Sequence, residues 1–555
     1  MALPIADYLV TRLRQHGVDT IFGIPGTSCA AFFDSATKHG LKTVINSTEL
    51  DAGYAADGYA RMRGIGAVSV SYGVGTLSLI NAIAGAYVER AAVVVVNGGP
   101  STADVWREQR FGVLFSHSTG RPFTDLALFK EVTVYAKRVA SAADAPSSID
   151  EAITVALREQ RPVYIEIPSD LWAATCVEPI GQIDATRIGV GNEQKFAGII
   201  SSLIREAERP AIVLGEEIAR YRMADEAERL VIGSGIGWAT TLLAKSVLAE
   251  DTAGFVGVYD SDLAEKPVAR FLEQSDCLLA LGCTFGIDHS KLVTTQYACM
   301  ISIADGFCRI GDTTPERTEL GTLLPLLATA LQSHEKARLA EDISTSSFVN
   351  RRTWVASPSL DELTHEQLYR AVDRHLDERW VLVHDTCLGS YPSADLNVKG
   401  RDAFVCCPVW LSIGHSIGAA VGVGMADKRR PLVICGDGGF QITAAGLSSM
   451  ARQQIPAVVI LIDNGIYAIE QYLIKPEWFC ERASDPLPYV GLHRWDYPAL
   501  AQAMGFAHAV QVGDEAQLET ALVAAGSWTS PGLISVRIKP RDLPPENLET
   551  LPCDF

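Results

Sequence analysis

The sequence predicts an α/β protein of three doubly wound parallel-sheet domains, and three observations carry that expectation. Short β-branched runs alternate with alanine-rich helical stretches from end to end. The runs are apolar on both faces, as strands are in a parallel sheet covered by helices. At 555 residues the chain is too long for one core, and two loosely patterned segments divide it.

Taken in order, "AVSVSY" (67–72), "AAVVVVNGG" (91–99) and "RPVYIEIP" (161–168) read as strands, each ended by a glycine- or proline-rich turn. They predict a first domain over 1–180. "PAIVLG" from Pro210, "CLLALGCTF" (277–285) and "ACMISIAD" (298–305) predict a second over 190–340. "RWVLVHD" (379–385), "PLVICGDGG" (431–439) and "AVVILIDNG" (457–465) predict a third over 355–545. The segments "PIGQIDATRIGVGNEQ" (179–194) and "HEKARLAEDISTSSFVNRRTW" (334–354) read as linkers or surface connections. Near the amino terminus Ile5, Leu9 and Leu13 recur at helical spacing and predict a first surface helix.

Composition narrows the function. Hydrophobic residues make up 48% and charged residues 20%, an ordinary globular balance. A net charge of −19 argues against nucleic acid or an anionic membrane as partner, since both need a basic face. No apolar stretch approaches the roughly 18 residues that a spanning helix needs, and no secretory signal is visible at the amino terminus. The twelve cysteines form no CxxC pair, and several sit in apolar runs, which fits small buried hydrophobes in a reducing cytoplasm.

The chemistry centres on "LVICGDGGFQ", Leu432 to Gln441. A buried-looking strand stops at Gly436 and leaves Asp437 alone among glycines. In open parallel sheets ligands bind beyond the carboxyl ends of strands. Gly438 and Gly439 let backbone N–H groups approach an anion at the start of the helix predicted in "GGFQITAAGLSSMA". A capping aspartate in a tight strand–helix turn explains the same residues equally well. Twenty-four residues, 439 to 462, separate Gly438 from Asp463–Asn464, which close the next strand. Two neighbouring strands then present Asp437 and Asn464 at one edge, hard oxygen ligands suited to Mg²⁺ with phosphate oxygens and water completing the octahedron.

This GDG…DN pattern resembles the thiamine-diphosphate signature, with Asp463 a mild departure in the closing pair. "FGIPG" (22–26), "ELDAGYAADGYARMRG" (49–64), "SYGVGTLSLINAIAGAYVE" (71–89), "WLSIGHSIGAAVG" (410–422) and "IYAIE" (466–470) are similar, in the same order, to the pyruvate, indolepyruvate and phenylpyruvate decarboxylase branch of that family. The resemblance implies pyrimidine-binding, Rossmann-like middle and diphosphate-binding domains, with thiamine diphosphate and Mg²⁺ as cofactors. It implies Mg²⁺ on Asp437, Asn464 and the carbonyl of Ile466, and further cofactor contacts from Leu388, Gly438, Gly439 and Tyr467. Glu49 matches the glutamate that bonds the pyrimidine ring and activates the thiazolium carbon. Ile413 matches the apolar wedge that bends the cofactor, and the backbone at Leu411, often glycine in relatives, accepts from the aminopyrimidine. Each cofactor lies between the first domain of one subunit and the third of another, so a homodimer or homotetramer is implied.

The pattern breaks at the acid–base positions. The decarboxylases carry an aspartate after the first GxPG, two adjacent histidines and the glutamate of "IE". Here the first position is Thr27, the histidine pair reads Ser116–His117, and Glu470 is intact. Hydroxyls hydrogen-bond but do not change charge near neutrality, so they cannot replace an aspartate–histidine relay. The expected activity is decarboxylation of a 2-oxo acid to a cofactor-bound enamine, released as aldehyde or coupled to an aldehyde or ketone acceptor as an acyloin. Glu470, Leu473 and Ile474 share a helical face, and apolar neighbours would raise the acid's pKa. Together with Thr27, Ser116 and His117 they are the expected substrate pocket. The alternative is a regulatory homologue that binds thiamine diphosphate without turnover. A dehydrogenase is disfavoured because "IGSGIGWAT" lacks G-x-G-x-x-G spacing.

Overall fold

The computed structural model describes residues 2–260, 267–332, 363–480, 484–548 and 550–551. The whole segment 334–354, expected as a connection, lies outside the described residues, as does the boundary drawn between 340 and 355. The other expected connection, 179–194, carries no regular structure until the helix Glu193–Glu206 begins.

Three helix-flanked sheets make an α/β fold. The first has six parallel strands, in the order Lys42–Ile45, Thr20–Gly23, Gly66–Ser71, Val93–Gly99, Val163–Pro168, Tyr135–Arg138. The third also has six, ordered Phe404–Cys406, Trp380–His384, Arg430–Gly436, Val458–Asp463, Gly532–Arg537, His508–Val512. Its central strands are buried along their length, which is why they read as unbroken apolar runs. The middle sheet differs from the purely parallel expectation. Its seven strands end in the antiparallel pair Phe307–Ile310 and Glu316–Arg317. After Met300–Ala304 the chain reverses through Asp305 and Gly306, at φ 54° and 75°, a two-residue turn whose twist suits a hairpin.

The helix Ile5–Gln15 is more buried than an amphipathic surface helix. Besides Ile5, Leu9 and Leu13 it buries Asp7, Tyr8, Val10 and Arg12. A short strand before it, Ala2–Pro4, pairs antiparallel with Thr175–Val177. Arg12, buried, reaches Asp150 at 2.7 Å and the Gly181 carbonyl at 2.7 Å, so its head is paired rather than solvated.

The first and third sheets meet through two helices. Thr48 caps the helix Glu49–Arg63 by accepting from the Asp51 N–H, acids occupy its first turn and arginines its last, and Gly64 ends it at φ 89°. Its partner, His415–Ala426, is mainly glycine, alanine and other small residues, so the two backbones approach closely. A methyl group on Gly58 would meet the Ala419 carbonyl oxygen at 2.4 Å. One apolar cluster therefore runs through both sheets, from Val68 and Val95 to Val433 and Val459.

Candidate active site

Adjacent parallel strands Arg430–Gly436 and Val458–Asp463 pair Gly436 with Ile462 and end side by side. That register puts Asp437 and Asn464 at the same carboxyl edge. The Asp437 carboxylate spans the gap, accepting from the Gly438 N–H at 3.0 Å and the Gly465 N–H at 2.6 Å. Asn464 Oδ1 accepts from the Ile466 N–H at 3.1 Å. Asp437 is 2% exposed, and among the described residues no cation lies within ion-pair distance of it. Burial pushes its carboxyl up to about 7, the Gly465 bond opposes that, and neighbouring Asp463 adds to it. A buried carboxylate in that condition is a fit host for a divalent cation.

The cleft above it is lined by Leu388, Ile413, Asp437, Gly438, Gly439, Asn464, Ile466 and Tyr467, all expected cofactor contacts. Thr386, Cys387, Ile462 and Ile469 also line it. Among the described residues no cluster of three or more His, Cys, Asp or Glu could hold a metal. The cradle instead offers one carboxylate, one amide and a carbonyl, a set that leaves coordination positions for phosphate oxygens. These residues fit a Mg²⁺-bound diphosphate. The glycines have an additional cause in packing. A Cβ at Gly438 would lie 2.3 Å from the Tyr467 ring, and one at Gly439 would lie 2.9 Å from Asp385 Oδ1. The expected single helix after Asp437 is two, Asp437–Thr443 and Gly446–Arg452.

Asp385 was legible only as the end of a strand, and the structure gives it work. Its carboxylate accepts from the Gly414 N–H at 2.9 Å, the Ser416 N–H at 3.0 Å and the Ser416 hydroxyl at 2.6 Å. It thereby fixes the turn that carries Ile413 into the cleft. The same turn holds Leu411 at φ 59°, the region that favours glycine, with its side chain 44% exposed. The sequence signal was present: "RWVLVHD" ends in a lone aspartate, as "LVICGD" does. Tyr54 and Asn81 were not anticipated either. The Tyr54 hydroxyl lies 2.6 Å from Ser412 Oγ, and Asn81 Oδ1 accepts from the Trp410 indole at 3.0 Å.

The first sheet assembles a second group of expected residues. Thr27 follows Thr20–Gly23 and Glu49 follows Lys42–Ile45, at the carboxyl ends of neighbouring strands. Glu49 is half-buried, its Cγ 3.6 Å from the position a Gly75 Cβ would take. His117, at φ 64°, stands edge-on to Tyr72 with ring centres 5.7 Å apart and packs against Gly73. Ser116, His117 and Thr27 are exposed. None of these residues lines the cleft around Asp437, nor does Leu411. Glu470, on the helix Ala468–Ile474, is exposed with Leu473 and Ile474 beside it, so among the described residues the apolar enclosure expected around this acid is not formed. Ten of the cysteines are free, as expected, but Cys480, just beyond that helix, is disulfide-bonded.

Three sequence-family models match the chain in order. They are the thiamine pyrophosphate enzyme N-terminal TPP binding domain over residues 4–115, the central domain over 199–304, and the C-terminal TPP binding domain over 387–536. A pyruvate decarboxylase of Aspergillus terreus is 30% identical over 492 residues, covering 84% of this chain and 83% of the relative. An alpha-keto-acid decarboxylase of Mycobacterium ulcerans is 28% identical over 554 residues, covering 98% and 94%. Pyruvate decarboxylase 3 of Oryza sativa subsp. indica is 28% identical over 546 residues, covering 94% and 89%. With the matched domains, the full-length relatives and the fitting cradle in hand, the chain belongs to the thiamine-diphosphate-dependent 2-oxo acid decarboxylase family.

Proposed function

We propose that this protein decarboxylates a 2-oxo acid and joins the remaining fragment to an aldehyde or ketone acceptor, giving an acyloin. One observation carries the carboligation half: of the acid–base positions on the first sheet, Thr27 and Ser116 bear hydroxyls where an aspartate and a histidine are expected, and His117 alone keeps an imidazole. Bound thiamine diphosphate supplies the electron sink for loss of CO₂. Asp437, Asn464 and the Ile466 carbonyl would hold Mg²⁺, and Ile413 lines the cleft above. Glu49 would hydrogen-bond the pyrimidine ring of bound cofactor and hold a proton there. His117 and Glu470 place protons on the product, while Leu473 and Ile474 exclude water. With Thr27 and Ser116 bearing hydroxyls, this chain would deliver a proton to the product more slowly than an aspartate–histidine relay, which favours an acceptor carbonyl.

We further infer that the working unit is a homodimer or homotetramer with sites at subunit interfaces. Supporting this, the cleft around Asp437 has no wall from the first sheet, and exposed apolar side chains flank both groups: Val113 and Leu114 near His117, Leu473 and Ile474 near Glu470. Among the described residues no helix is long and apolar enough to cross a membrane. The ten free cysteines among the described residues favour a cytoplasmic setting, and the disulfide-bonded Cys480 counts against it.

The deciding experiment supplies purified protein with pyruvate, branched-chain and aromatic 2-oxo acids, with and without acceptors, and measures CO₂ and carbon products together. Acyloin as main product is expected. Free aldehyde alone, at rates typical of the relatives, removes the carboligase reading. Spectral change of bound cofactor without CO₂ establishes the regulatory homologue instead.

A further inference from the structure

The arm that carries Asn464 is held by a strap in the following chain. Between residues 490 and 494 the backbone accepts from the Tyr467 N–H at Val490 (2.8 Å) and donates from Leu492 to the Gly465 carbonyl (2.9 Å). The other arm is tied to the same strap, since Gln441, on the helix that opens with Asp437, donates to the His493 carbonyl at 2.8 Å. Arg494 closes the strap over Gly465. Its Nη2 donates to the Asn464 carbonyl at 3.0 Å, and its Nε stands 3.6 Å from Asp463 Oδ1. The guanidinium lies so close to Gly465 that a Cβ there would meet Nε at 2.6 Å.

Asp463 explains why a cation is needed there. Its side chain is 1% exposed, and Oδ1 has no hydrogen-bond partner. Its ion pairs are Arg494 and, at 3.4 Å, Arg537 Nε. Asp463 also repels the Asp437 carboxylate at the same sheet edge. A buried carboxylate stays in place only while paired charge holds it, and without Arg494 its remaining described partners, Arg537 and Gln511, both lie at Oδ2, leaving Oδ1 unopposed.

We propose that Arg494 is a positioning residue for the metal arm, required because this chain carries Asp463 in the closing pair of the signature. By bridging the Asp463 carboxylate and the Asn464 main chain it sets where the Asn464 side chain stands relative to Asp437. This rests on Asn464 being a metal ligand, as read above. A bystander cation makes the opposite prediction. Removing a positive charge near a Mg²⁺ site raises cation affinity, whereas removing a positioning group lowers it.

The test is cofactor binding by the assembled protein, read from tryptophan fluorescence as thiamine diphosphate is titrated at fixed Mg²⁺ and as Mg²⁺ is titrated at fixed thiamine diphosphate. Arg494→Ala should weaken both affinities about tenfold, the scale of one hydrogen bond to a charged donor. Arg494→Lys should recover little, since a point charge cannot bridge carboxylate and carbonyl together. Adding Asp463→Asn to Arg494→Ala should restore most of the loss, because the charge that needed holding is gone. Circular dichroism and thermal melting of each apoprotein check that it is folded. Unchanged or tighter Mg²⁺ binding in folded Arg494→Ala overturns the proposal. So does a double variant no better than the single, or an Arg494→Ala chain that fails to fold while Arg494→Lys folds and binds normally. Failure of the unaltered protein to bind thiamine diphosphate would instead strike the reading of Asp437 and Asn464 themselves.

Discussion

Gly422 and Ala55 touch backbone to backbone: a methyl group on Gly422 would meet the Ala55 carbonyl oxygen at 2.0 Å and the Tyr59 nitrogen at 2.6 Å. This contact joins the helix that begins at Glu49 to the helix that follows Ile413. The first and third sheets are therefore locked at a spacing that no larger residue tolerates. Gly422→Ala is expected to destabilise the protein by about 3 kcal/mol, the upper range for overpacking against fixed backbone. Urea unfolding with the slope held constant checks it. A change below about 0.5 kcal/mol would show that the helices can separate at little cost.

Two buried carboxyls make apoprotein stability depend on pH. Burial raises both Asp437 and Asp51 to about 7, and at Asp51 a contact with Thr48 opposes it only in part. Each native carboxyl holds its proton more tightly than the unfolded chain does. Between about pH 4 and pH 7 the unfolded state thus binds fewer protons, and stability falls as pH rises. The contribution is fully present below the unfolded value and lost through the folded one. Melting temperatures of apoprotein across that window should decline, and Asp51→Asn should flatten the decline.

Metal loading separates the two carboxyls. Binding at Asp437 requires the carboxylate, so Mg²⁺ with thiamine diphosphate should bind more tightly as pH rises towards about 7 and release a proton below it. Calorimetry in two buffers of different ionisation enthalpy reads the proton directly. No proton release near pH 6 would count against Asp437 as the ligand.

Glu49→Gln should suppress every thiamine-diphosphate-dependent reaction of the protein by at least about 100-fold, the usual scale for a lost acid–base group. Cofactor affinity should change far less, because the diphosphate cradle lies in the third sheet and excludes Glu49. Turnover equal to the unaltered protein would refute its role.

Thr27→Asp with Ser116→His supplies the aspartate–histidine relay that the family resemblance implies. The product mixture should move from acyloin towards free aldehyde, measured by chromatography with acceptor present. An unchanged ratio would place the choice between products elsewhere in the pocket.

Much of this molecule was legible in one dimension. Strands such as "AVVILIDNG" announce burial on both faces, and the aspartate that closes "LVICGD" stands where a parallel sheet binds ligands. Local pattern therefore determined the α/β class and the pairing of Asp437 with Asn464, since side-chain alternation and strand ends are properties of neighbouring residues. Tertiary structure alone decided what depends on approach between distant segments. Gly438 is glycine because the Tyr467 ring lies against it, and Asp385 holds the turn of Ile413 because two strand ends converge there. The hairpin at Asp305–Gly306 turns an edge antiparallel through two positive φ angles that no spacing rule foresaw. Glu49 does not line the cleft around Asp437, because the contact between their domains is made by helix backs rather than by the carboxyl ends of the strands.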